Sequence, residues 1–286
     1  FVAEASALQL GDAGAGNNVT SSGGNITITA GGAITTGNTL TTTGGSGAIT
    51  LTTTSGAITL SHTTTANVTG AIDINSAAGF TLADGVVMSS NSGVITVDTT
   101  GANALVVNGD ITTGGAGTIT LTGSHAITMD ATSLIQTTLG AIVLNSAAGG
   151  VTVDVVESTN SSTITITATG SSISEADNTA RVGASRSSST LNLTAGTTIG
   201  ASGTAALNTD VATLNASAAG DIFVSEATVI DLNSVSTSAN GNITITTTNG
   251  AITATSVTAG GAGDIALTAN GTGQGITLVS VTASGD

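Results

Sequence analysis

Residues 24–60 read "GNITITAGGAITTGNTLTTTGGSGAITLTTTSGAITL". Within this stretch Ile26-Thr27-Ile28-Thr29 and Ile49-Thr50-Leu51-Thr52 alternate apolar and polar residues. That is the period-two pattern of a strand with one face buried. Gly, Asn and Ser punctuate the alternation and supply turns. The same phrase returns 23 residues later, from Ile26 to Ile49. Repetition at a fixed period is the mark of a repeat architecture.

Followed outward, the phrase generates three interleaved series. The first runs Ile26, Ile49, Ile72, Ile95, Ile119, Ile142, Ile164, Leu191, Leu214, Ile243, Ile265. The second runs Leu10, Ile34, Ile58, Leu82, Leu105, Ile127, Val151, Ile173, Ile199, Ile222, Ile252, Ile276. The third runs Val19, Leu40, Val87, Ile111, Ile135, Val156, Val182, Leu207, Ile230, Val257, Val281, with no register readable between Thr64 and Val68. Three short strands per repeat of about 23 residues predict an all-β, right-handed parallel β-helix of roughly 12 triangular coils. One continuous solenoid domain spanning 1–286 is expected, part of a longer chain or a polymer. Longer loops are expected near 168–190 and 231–242, where the spacing stretches, and Arg181 is expected to pair with Asp177 or Glu175.

Composition agrees with a thin core. Aromatics make up 1% of the 286 residues, and Pro, Cys, Trp and Tyr are absent. A slim bore accepts aliphatic ladders more readily than rings, and central strands exclude proline because each must donate its N–H. Net charge is −15, and Arg181 and Arg186 are the only basic side chains besides two histidines. Such a chain has nothing to neutralise a run of phosphates, which excludes nucleic acid as a partner. No run of 18 apolar residues exists, so no helical membrane span is expected. The absence of cysteine removes disulfides and thiol chemistry. No leader is visible at Phe1, and the chain reads as a mature product or an internal segment.

Candidate chemistry is sparse. His62 and His125 occupy different places in their coils, and no nucleophile elbow is present. A polysaccharide-processing enzyme would need clustered carboxylates with a cation or basic group, which no position gathers. The chain is therefore read as no enzyme, with no catalytic residues and no cofactor. The weak metal candidate is a corner column, Asn108, Asp130, Asp154 and Asp177, which calcium could bridge. A second candidate is the rank Thr27, Thr29, Thr50, Thr52, Thr120, Thr122, Thr165, Thr167, Thr244 and Thr246 on one face, a possible ice- or surface-binding lattice. Asp73/Asn75, Asp98, Val143/Asn145 and Asn192 interrupt it.

The stretches "GNITITA" (24–30), "SGAITLTT" (46–53), "GAIDINSAAGF" (70–80) and "AGTITLTGSHAITM" (116–129) resemble filamentous haemagglutinin and related two-partner-secretion exoproteins. They are also similar to β-helical passengers of autotransporter adhesins. The resemblance lies in repeat style and covers nearly the whole chain. It implies an extracellular shaft at the bacterial cell surface, exported with the help of an outer-membrane transporter. It also implies partners in copies of itself, head-to-tail or lateral, and in host or neighbouring-cell surfaces.

Overall fold

The computed structural model describes residues 1–11, 18–160, 162–183 and 189–284. Arg186 lies outside the described residues. The described chain is strands and turns, with a single three-residue 3-10 turn at Gly203–Ala205. The strands lie parallel in three sheets of 15, 8 and 12 strands, giving about 12 stacked coils.

One coil shows the plan: a long strand Ile72–Ser76, then two short ones, Phe80–Leu82 and Val87–Ser90. The next coil lays Ile95–Thr99, Leu105–Val107 and Asp110–Thr113 on them in register, Ile72 against Ile95, Phe80 against Leu105 and Met88 against Ile111. Alternation turns Ile72, Ile74, Phe80, Leu82 and Met88 inward, where all are fully buried. Each such side chain contributes about 1.5–3 kcal/mol by leaving water. Because like stacks on like, the core is a bundle of aliphatic columns parallel to the rod axis.

The third series is off by one residue at Val87, on the coil that follows the stretch where the sequence gives no register. Met88, not Val87, points inward, and below it stands Thr64, buried between Leu40 and Met88. Inward hydroxyls recur at strand ends. The fifth residue of a long strand shares parity with the first, so Thr53, Ser76 and Ser146 are buried. Their hydroxyls donate to a glycine carbonyl three residues on: Thr53 to Gly56 at 2.5 Å, Ser76 to Gly79 at 2.8 Å, Ser146 to Gly149 at 2.8 Å. Thr137 does the same to Gly140 at 2.6 Å. These bonds satisfy corner carbonyls, and at Gly79 the hydroxyl adds to the Ile58 amide that already donates there at 3.0 Å.

At the corner leading into each long strand, glycines stack: Gly47, Gly70, Gly93, Gly117 and Gly140. A Cβ on Gly93 would lie 2.1 Å from the Gly70 oxygen, and one on Gly140 1.7 Å from the Gly117 oxygen. Backbone rests directly on backbone there, which only glycine allows.

The regular stacking slips once. Thr190 pairs with Thr213, a step of 23 residues, but Thr213 pairs with Asp231, a step of 18. On the third sheet Leu207 pairs with Val224, a step of 17. The coil beginning at Thr213 has two strands, Thr213–Ala218 and Ile222–Glu226; the coil before it keeps only the bridging residue Ile199 between Thr190–Ala195 and Leu207–Asp210, and the coils before that have three strands. The second sheet ends at Ile173–Glu175 and continues only as bridges from Ile173 to Ile199 to Ile222. Beyond the slip the long strands Ile243–Thr247 and Ile265–Ala269 lie on the third sheet, and the short ones lie on the first.

This slip corrects the expected loop at 231–242. Ile230–Thr237 is one eight-residue strand, bulged between Leu232 and Ser234, in which two short strands meet without a corner. Its halves pair separately with Ile252–Ala254 and Val257–Ala259. The stretch 168–190 is not one loop either. It contains the strands Ile173–Glu175 and Arg181–Gly183, joined by a turn at 176–180, while 184–188 lies outside the described residues.

Candidate functional site

The outer threonines of the first sheet meet as expected over the first coils. Thr27 stands beside Thr50 and Thr29 beside Thr52. The next coil then places Asp73 and Asn75 in those columns, with Asn75 Nδ2 donating to Asp73 Oδ2 at 2.9 Å. Thr120 and Thr122 lie between Thr96/Asp98 and Val143/Asn145, and Thr165 and Thr167 lie between Val143/Asn145 and Asn192/Thr194. Amides take over from there: Asn215 Nδ2 donates to Asn192 Oδ1 at 2.9 Å, and Asn233 Nδ2 donates to Asn215 Oδ1 at 2.8 Å. Thr244 and Thr246 do not belong to this rank. They lie on the third sheet beside Phe223 and Ser225, because the shortened coil moves the long-strand motif to another face.

The acidic corner is in register only in part: Val153 pairs with Glu175, so Ala176 takes the place after the strand and Asp177 lies one residue beyond it. Asn108 and Asp130 each follow the last residue of neighbouring second-sheet strands, Val107 and Met129. Asp154 is buried, and burial lifts its carboxyl above the ordinary aspartate range, helped by the charges of Asp177 and Asp130. The outer two spend their oxygens on their own turns. Asp130 Oδ1 accepts from the Thr132 amide and hydroxyl, both at 3.0 Å. Asp177 Oδ1 accepts from Thr179 N at 2.7 Å and Thr179 Oγ1 at 2.8 Å, which holds its carboxyl below the ordinary range. Among the described residues no three His, Asp or Glu side chains converge as metal ligands would. His62 and His125 are both exposed, and the His62 ring meets the Thr36 carbonyl at 3.2 Å.

Arg181 pairs with Glu157 of the coil before it and approaches Asp210 of the coil after it at 3.7 Å, rather than pairing with Asp177 or Glu175. Gln136 Nε2 donates to the other Glu157 oxygen at 2.5 Å, so the ion pair is one link in a column along the third sheet. Glu175 instead accepts from Asn208 Nδ2 at 3.0 Å, and burial raises its carboxyl.

Sequence reasoning passed over Glu226, which is fully buried. Its carboxylate accepts from Thr209 Oγ1 at 2.8 Å, Thr228 N at 3.0 Å and Val211 N at 3.2 Å. Burial nonetheless pushes its pKa up, more than those donors lower it. A signal was present: in Ile222-Phe223-Val224-Ser225-Glu226 the alternation places Glu226 in phase with the two inward residues. The buried Glu226 and half-buried Glu175 thus accept hydrogen bonds from neighbouring coils and turns.

No family model matches the chain, and neither a curated protein nor a solved structure does.

Proposed function

We propose that this chain is a structural element: a rigid shaft or filament-forming segment of a bacterial surface adhesin, displayed outside the cell and without catalytic activity of its own. The observation that carries this reading is the parallel stacking of about 12 coils on one aliphatic core, which continues through the slip at Thr213. At one hydrogen-bonded spacing of about 4.8 Å per coil the rod extends roughly 55–60 Å. Pulling along the axis loads the inter-coil backbone hydrogen bonds of all three sheets together, while short corners leave little slack.

The repeat style shared with two-partner-secretion exoproteins supports the extracellular placement and export through an outer-membrane transporter. Partners of this shaft are further coils at its ends and, for attachment, host or neighbouring-cell surfaces. The interrupted threonine rank and the place of Thr244 and Thr246 count against a lattice-matching ice face.

The test is electron microscopy of the purified chain together with immunolabelling of intact producing cells. Slender rods and label on the outer surface are expected. Compact particles, or label confined to the cell interior, would refute the proposal.

A further inference from the structure

The shortened coil poses a local problem. Around it the Val211 and Thr228 amides and the Thr209 hydroxyl need an acceptor in the interior. A single side chain answers this: the Glu226 carboxylate, with no solvent exposure, gathers the Val211 amide from the coil before, the Thr228 amide from the corner after, and the Thr209 hydroxyl beneath it. Thr228 Oγ1 adds a contact at 3.3 Å. A hydrocarbon side chain here would leave those donors buried and unpaired.

We propose that this two-strand coil is a proton-sensitive joint in the rod, latched by Glu226, tight when that carboxyl is protonated and loosened when it ionises. The charged form must be held in an interior where no described residue brings a cation into contact with it. On the preceding third-sheet strand Leu207–Asp210 stands Asp210, whose own charge opposes ionisation of Glu226. Arg181 stands one strand further away and divides its guanidinium between Glu157 and Asp210. Thr213–Ala218 and Ile243–Thr247 bring no titratable side chain, and Asp231 at the start of Ile230–Thr237 is engaged by Thr255 Oγ1 at 2.8 Å. His62 and His125 lie on earlier coils. The three donors favour the charge, but complete burial and the Asp210 carboxylate oppose it more strongly, so the folded joint prefers the proton. Opening the joint frees Glu226 to ionise, which makes opening more favourable as pH rises through the folded value.

Amide exchange across pH 4–7.5, corrected for the intrinsic rate, tests this on the full chain. The coils between Ile72 and Ser146 serve as the internal reference. Protection of Val211 and Thr228 relative to that reference should fall at least about threefold as pH rises, each unit of elevation in the Glu226 pKa being worth about tenfold. Glu226→Gln, which stays neutral at every pH, should flatten that slope. Unchanging protection in the wild type, or a wild-type slope in Glu226→Gln, overturns the proposal. Should the variant not fold, a carboxyl titration of the wild type by carbon NMR decides it. Glu226 must then titrate above the ordinary glutamate value of about 4.3, and a midpoint at or below that value overturns the proposal.

Discussion

Replacing Gly140 by alanine tests the stacking of backbone on backbone at its tightest point. The new methyl would lie 1.7 Å from the Gly117 oxygen and 2.4 Å from its carbon. No rotamer relieves this, because Cβ has none. The two corners must separate by more than an ångström, and overpacking of that kind costs about 1–3 kcal/mol. The shift also pulls the Gly140 carbonyl from Thr137 Oγ1, now bonded at 2.6 Å and fully buried, at a further cost of about 1–3 kcal/mol. Restricting the unfolded chain returns only about 0.4–1 kcal/mol. The expected net loss is about 2–4 kcal/mol, or roughly 30- to 1,000-fold in a local opening constant. The direct readout is exchange of the Ile119 amide, which donates to Ala141 O at 3.1 Å next to the corner, supported by urea unfolding followed by circular dichroism. Gly275→Ala is the control, since nothing lies within 4 Å of the added carbon, and it should change stability by less than about 0.5 kcal/mol. Wild-type protection in Gly140→Ala, or equal damage from Gly275→Ala, would refute the close-approach argument.

Val68 is the one described non-glycine residue with positive φ, at +58°, a conformation costing a β-branched side chain about 1–3 kcal/mol. Val68→Asn, which tolerates that region, should stabilise the rod by about 1 kcal/mol and raise Tm by about 2 °C in a thermal melt. Two buried serines should respond oppositely. Ser146→Ala strips donors from the His125 and Gly149 carbonyls and should cost about 1–2 kcal/mol, whereas Ser158→Ala removes a buried hydroxyl without a partner and should be neutral or stabilising in urea titration. Asp154, Glu175 and Glu226 all have raised pKa values, chiefly through burial, so their contribution is full below their ordinary values and lost as pH rises through the folded ones. Asp177, with a lowered pKa, works the other way and loses its contribution as pH falls through its folded value. Melting temperature should therefore rise as pH drops from 7 to about 4.5, and a steady fall over that interval would contradict the burial of these carboxyls.

The repeat was legible because stacking enforces it. A column of Ile72, Ile95, Ile119 and Ile142 demands the same shape at the same depth every 23 or so residues, so the fold writes its own period into the chain. The nearness of Asp130 to Asp154 was legible for the same reason, whereas Asp177 falls one residue beyond the matching place because Val153 pairs with Glu175. The slip was not legible. The Gly-Asn-Ile-Thr-Ile-Thr phrase at 241–246 repeats that at 24–29 residue for residue. Which face it occupies depends on how many strands the coil before it contains, and that count is a non-local property. The partners of Arg181 were hidden likewise: Glu157 and Asp210 are 24 and 29 residues away, nearer in space than Asp177 only because whole turns intervene. The inward hydroxyls could have been read from parity, because Thr53 is in phase with Ile49 and Leu51.

Parallel pairing across a near-constant interval has a kinetic corollary. Each strand finds its partner one turn along, so a segment needs only about two turns free of constraint before it can close on what is already folded. Assembly then advances as a moving front in steps of one turn, as in other linear arrays. A front travelling toward the carboxyl end would meet, at Thr213, a template whose next layer has a different number of sides. Stopped-flow traces of the intact chain would register that arrest as a separate slow phase, absent from a truncation ending at Ala195.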